Sequence, residues 1–123
     1  MYLLGTRSGS SVTLQVCVKN NSGISGFDFD IKYDKADVTP VSISNGITSV
    51  TSKLQQTTNL NGIIPVAYGD ASGTTSNGVL FTITFNVTGN ASATDFEIIC
   101  NEILDIDLDD ATFELYDANV TLK

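Results

Sequence analysis

The sequence contains no histidine and no tryptophan, two cysteines, two prolines, and six lysines and arginines against 14 aspartates and glutamates. Without histidine, the commonest general base and the commonest transition-metal ligand are missing. A serine, threonine or cysteine nucleophile would have only lysine or a carboxylate to activate it. Carboxylate pairs able to flank a glycosidic bond arise by chance among 14 acids, and none stands in a recognisable catalytic context. The sequence therefore predicts no catalytic residue and no enzyme activity. The absence of tryptophan weakens sugar recognition, which on a β-sheet needs a flat row of exposed rings. Tyr33 and Tyr68 fall on the apolar phase of their segments, and Tyr2 and Tyr116 are isolated.

A net charge of −8 repels nucleic-acid phosphates and anionic headgroups, so neither nucleic acid nor a membrane surface is expected as a partner. No run reaches the roughly 18 apolar residues that a membrane helix needs. The opening "MYLL" is too short for a signal peptide, and the chain reads as an excised mature domain, compatible with secretion. Cys17 and Cys100 could form one disulfide. Cys17 lies on the polar phase of a strand whose other side is Val12, Leu14, Val16 and Val18, so free thiols are expected.

What is present is β-structure. With 123 residues and 41% hydrophobic content, the chain can bury one core, and residues 1–123 are read as a single domain. Runs of Val, Ile, Thr, Phe and Tyr are separated by Gly, Asn, Ser and Asp clusters. Strands are expected at 11–19, 26–34, 38–44, 62–70, 79–87, 96–100 and 111–123, with turns or loops at 20–26, 71–78 and 88–95. Pro40 points to an edge strand, and residues 47–61 fit a strand or a loop. Eight or nine short strands and no sustained helical period predict an all-β sandwich or jelly roll of two sheets.

Two patterns stand out. "GFDFDIKYD", residues 26–34, alternates Phe27, Phe29, Ile31 and Tyr33 with Asp28, Asp30 and Lys32. It describes a strand with one apolar and one charged face. "DIDLDD", residues 105–110, places Asp105, Asp107 and Asp109 like the first ligands of a calcium loop. The loop then fails, because Asp110 stands where glycine is needed and Tyr116 where a bidentate glutamate belongs. Its alternation with Ile106 and Leu108 suggests a strand or edge with a solvated acidic side, so no metal ligands are expected. Four N-x-S/T sequons, at Asn20, Asn86, Asn90 and Asn119, are compatible with chance in turns of this composition.

Three segments, in order and at matching spacing, carry a family resemblance: "GSSVTLQVCVKNNSGISGFDFDIKYD", "GIIPVAYGDASG" and "TSNGVLFTITFNV". Together they resemble a cohesin domain, the receptor module of cellulosomal scaffoldins, over nearly the whole chain. The resemblance implies a nine-stranded jelly-roll β-sandwich of two antiparallel sheets. It implies no catalysis, no cofactor on this chain, and binding of a dockerin whose calcium belongs to the dockerin. It further implies a monomer when free, in an extracellular complex that is secreted or held at a bacterial cell surface.

In the family the dockerin lies across strands 8, 3, 6 and 5. Asp28, Asp30 and Lys32 map to strand 3 and Ile63, Pro65 and Ala67 to strand 6, followed by the acidic Asp70. Leu54, Gln56 and Thr58 are expected from strand 5, and Ile103 and Leu104 near the end of strand 8. The chain departs from the family in its length between strands 4 and 5, in the small Ala67, and in Thr58 near the place of the usual strand-5 aromatic. These departures imply a divergent class, such as those of rumen or gut Ruminococcus-like bacteria. The competing reading is a carbohydrate-binding module or a structural, adhesin-type sandwich.

Overall fold

The computed structural model describes residues 1–44, 46, 54–56 and 61–122. Among the described residues nine strands follow one another: β1 (Tyr2–Ser8), β2 (Ser11–Val18), β3 (Ile24–Tyr33), β4 (Val38–Ser44), β5 (Leu54–Gln56), β6 (Ile63–Thr74), β7 (Gly78–Val87), β8 (Ala93–Leu104) and β9 (Ala118–Thr121). They form a four-stranded sheet in the order β1-β2-β7-β4 and a five-stranded sheet in the order β5-β6-β3-β8-β9. Every strand pairing within the two sheets is antiparallel. The architecture is the expected all-β jelly-roll sandwich.

Alternation builds the core. Val12, Leu14 and Val16 of β2 face Phe27, Phe29 and Ile31 of β3 across an interior shared with Phe81, Ile83, Phe85 and Phe96. The aromatic rings pack in register, with Phe27 stacked on Phe29 at 4.5 Å between centroids and Phe85 against Phe96 at 5.0 Å. Tyr33 and Tyr68 are buried as their phase requires. Asn21 ties the β2–β3 connection to the one after β6, donating through Nδ2 to the carbonyls of Thr74 (3.0 Å) and Ser76 (2.8 Å) and accepting from the Gly23 N–H at 2.9 Å. A buried side-chain amide that satisfies several backbone groups at once is costly to lose.

Several boundaries differ from the sequence reading, each for a local reason. Pairing to Thr74 draws Ile24–Gly26 into β3 and residues 71–74 into β6, where a turn and a loop were expected. Residues 111–117 are not the expected strand. They cross to β1 instead, where the Leu3 N–H donates to the Tyr116 carbonyl and the Tyr116 N–H to that of Met1. β1 itself was not foreseen. Its alternation is blurred because Leu4 is exposed while Leu3 is buried.

Cys17 stands opposite the core side of Val16 and Val18, as expected, but is buried there. The β2–β7 register slips between Val16 and Cys17, so the pairing skips Leu80 and the two-residue period breaks there. Pro40 lies on β4, an edge strand, beside a register slip before Ser42. Residues 105–110 form a turn and not a strand edge.

Phe29 is fully buried at the centre of this packing. Phe29→Ala should destabilise the domain by about 3–5 kcal/mol, read from the shift of the urea unfolding midpoint.

Candidate functional site

The outer face of the five-stranded sheet follows directly from its alternation. With Phe27, Phe29, Ile31 and Tyr33 turned in, β3 must turn Asp28, Asp30 and Lys32 out. β6 likewise buries Ile64, Val66 and Tyr68 and turns out Ile63, Pro65, Ala67 and Gly69. The strand registers set these residues in cross-strand rows. Ile63, Lys32 and Glu97 form one row, and Pro65, Asp30 and Ile99 the next. Ala67, Asp28 and Glu102 form a third, and Gly69, Gly26 and Leu104 close the face.

The rows mix an apolar strip with acids. Ile63, Pro65 and Ala67 supply the strip on β6, with Ile99 on β8 beyond Asp30, and Ile63 is more than a third exposed. Asp28, Asp30, Glu97 and Glu102 supply the charge, with Asp70 beside the last row, and Lys32 is the basic residue of the described rows. The Lys32 Nζ and Glu97 Oε2 lie 4.0 Å apart and both side chains are about half exposed, a pair that contributes little to stability.

β8 contains an extra residue. Asp28 pairs with Glu102 and Phe29 with Cys100, which leaves Asn101 as a bulge. The Asn101 Nδ2 lies 3.3 Å from Asp30 Oδ2 and 3.5 Å from Asp28 Oδ1, so one amide bridges two like-charged neighbours on β3. Asp70 accepts the Ser72 N–H at 3.0 Å. Burial and, secondarily, the Asp70 carboxylate push the Tyr68 phenol up.

Most of the expected face residues lie together: Asp28, Asp30, Lys32, Ile63, Pro65, Ala67, Asp70 and Leu104. Three expectations need correction. Ile103 pairs with Phe27 and is buried in the core. A strict alternation from Phe96 would turn it outward, and the Asn101 bulge reverses the phase. In β5, Leu54 is in register with Tyr68 and Gln56 with Val66, both inward positions, whereas Gln55 pairs with outward Ala67. The pairing thus puts Gln55, and not Leu54 or Gln56, in the cross-strand row of Ala67. Thr58 lies outside the described residues.

Sequence reading missed Glu97, Ile99, Asn101 and Glu102. Continuing the alternation of "FEIIC" would have found the first two, but the bulge hid the others.

The acidic segment after β8 is occupied with its own backbone. Asp105 Oδ1 accepts the N–H groups of Asp107 (2.8 Å) and Asp109 (3.1 Å). Among the described residues, no three histidine, cysteine or acidic side chains are grouped to hold a metal ion. Tyr116 is the one strongly exposed aromatic among the described residues, and it lies away from the five-stranded face. Both cysteines are free thiols. Burial pushes the Cys17 thiol up against an opposing hydrogen bond with Tyr2. Burial also raises Cys100, opposed by the backbone at Glu102 and aided by the Asp28 charge.

A raised thiol pKa lowers the reactive thiolate fraction. In mildly alkaline native buffer, both cysteines should label far more slowly with a disulfide reagent than a free cysteine, Cys17 slowest. In urea both should label fully.

The model of the Cohesin domain matches residues 4–112. The comparison with curated proteins gave no match. Among solved structures, the chain is similar to the cohesin OlpA of a type I cohesin–dockerin complex from Clostridium thermocellum, at 20% identity and a TM-score of 0.83 over 98% of this chain and 96% of that one. It is similar to the sixth cohesin of scaffoldin B from Acetivibrio cellulolyticus, crystallised with a Cel5 dockerin mutant, at 20% identity and a TM-score of 0.83 over 100% of both chains. A non-cellulosomal cohesin from the archaeon Archaeoglobus fulgidus matches at 17% identity and a TM-score of 0.79 over 96% of this chain and 87% of that one.

Proposed function

The chain belongs to the cohesin family, and from that premise we propose that it is a non-catalytic recognition module that binds a dockerin across the outer face of β5, β6, β3 and β8. The observation that carries this reading is the composition of that face. An apolar strip of Ile63, Pro65 and Ala67 on β6 runs beside an array of outward acids on a rigid sheet, with Ile99 on β8 beyond Asp30. Apolar side chains on the open face of a sheet gain free energy when a partner covers them. Carboxylates beside them can accept several charge-assisted hydrogen bonds and set orientation.

In this reading Asp28 and Asp30, bridged by Asn101, present acceptors with little freedom left to lose on binding. Lys32, Ile63, Pro65, Ala67, Asp70 and Leu104 surround them, and Gln55 takes the strand-5 position in register with Ala67. Two of the structural relatives are cohesins in complex with dockerins. The partner carries the calcium, and this chain contributes no cofactor. The module is a single domain over residues 1–123, monomeric when free, and works outside the cell in a secreted or surface-held cellulosome-type complex.

Calorimetric titration against dockerins of several classes tests this, first with calcium and then with a chelator. One-to-one binding to one class, abolished by chelation, is expected, with the melting temperature of this domain alone unchanged by the chelator. Absence of binding across the panel would return weight to a carbohydrate-binding or structural sandwich.

Asp28 is exposed and outside the core. Asp28→Ala should therefore weaken the complex by about 1–3 kcal/mol without changing stability. Unchanged affinity would remove Asp28 from the interface.

A further inference from the structure

Where β3 and β6 lie closest to the turn after β8, the face steps down into a notch. Gly26 and Gly69 pair with one another there, so two adjacent strands present no side chain. A Cβ on Gly69 would meet nothing within 4 Å, and its backbone is not left-handed. The open space, about 360 Å³, is walled by Leu104 and Leu108 over Phe27 and Tyr68, with Asp28, Asp70 and Glu102 on its rim.

Leu108 is the unusual element. It is 64% exposed and adopts φ 65°, a left-handed conformation that a leucine disfavours. The turn is held in that shape. The Leu108 N–H donates to the Asp105 carbonyl at 3.0 Å, and the Asp105 carboxylate caps two further N–H groups. Ile106 tacks the turn to the fold, lying so close over Gly23 and Gly73 that neither position has room for a Cβ. A strained, exposed apolar residue held by its surroundings is a common sign of a binding contact.

We propose that this notch is a specificity pocket taking one apolar side chain of the partner with a lysine or arginine beside it. The proposal rests on the dockerin-binding reading. The walls are apolar, the rim carries three carboxylates, and no lysine or arginine lines it among the described residues. An apolar side chain alone would gain nothing from that rim, and a cation alone would gain nothing from Leu104 and Leu108. The acids select a partner that brings both, and they penalise an acidic neighbour.

The test uses the tightest-binding dockerin, the intact domain and three variants. Gly69→Leu fills the notch without backbone strain. Leu108→Gly removes a wall while relieving the left-handed strain. Thr13→Leu, on the outer face of the other sheet, is the control. Gly69→Leu and Leu108→Gly should each weaken binding by about tenfold or more, as expected when one buried apolar contact is lost. Leu108→Gly should leave the unfolding midpoint unchanged or higher, so its loss of binding cannot be a folding defect. Neutralising the matching basic residue of the dockerin should weaken the wild type and flatten its salt dependence.

If the wild type binds and both notch variants bind within about twofold of it, the pocket is overturned and the reading of the face stands. If the wild type binds no dockerin, both are overturned. Loss of self-association or of polysaccharide binding in Gly69→Leu, with dockerin affinity retained, would put a different occupant in the notch and also overturn the proposal.

Discussion

A strand in the middle of a sandwich has two faces, and the core can take only one of them. β3 lies between β6 and β8 and sends Phe27, Phe29, Ile31 and Tyr33 into the interior. The Phe27–Phe29 stack and the contacts of Phe27 with Tyr68 and Phe81 tie β3 to its neighbour and to the opposite sheet. Once those rings are buried, the two-residue period leaves Asp28, Asp30 and Lys32 no direction but outward. A one-residue slip would bury three charges and expose four large apolar side chains. The recognition face and the hydrophobic core are thus two sides of one constraint.

Bulges then adjust what alternation alone would produce. In β7 the slip at Leu80 breaks the two-residue period, so that Leu80 and Phe81 are both buried. In β8 the extra Asn101 turns Ile103 into the core, brings Glu102 out beside Asp28, and sets an amide between two carboxylates. Without that amide, Asp28 and Asp30 would lie on one strand face as unrelieved like charges. The bulge therefore shapes the outer face as well as the strand path.

Charge is distributed unevenly over the molecule. The outer face of the four-stranded sheet carries Thr13, Gln15, Thr82 and Thr84 on its central strands. The five-stranded face carries Asp28, Asp30, Glu97 and Glu102 on its own. Four of the 14 acids thus stand among the outward apolar side chains of one sheet face. Solubility alone does not require that coincidence, whereas a surface that must attract and orient a partner uses both.

The segment "GFDFDIKYD" declared its two faces because its alternation is unbroken, and the core positions of β2, β6 and β7 were legible for the same reason. Composition and periodicity also sufficed for the all-β sandwich, since alternating segments of this length bury their apolar side only by packing sheet on sheet. The resemblance in three segments named the family. The side of β8 from which Ile103 points, the register of β5, and the contact of residues 111–117 with β1 were not legible. Each depends on pairing between segments distant in the chain, and period two carries no information across a bulge. The acidic run at 105–110 read as a failed calcium loop or a solvated edge. Only the folded chain brings Ile106 over two glycines and sets Leu108 at the rim of a notch between Gly26 and Gly69. Local sequence determined which side chains face in or out along each strand. Tertiary structure decided which of the outward ones become neighbours, because that is set by strand register and sheet order, which no single segment encodes.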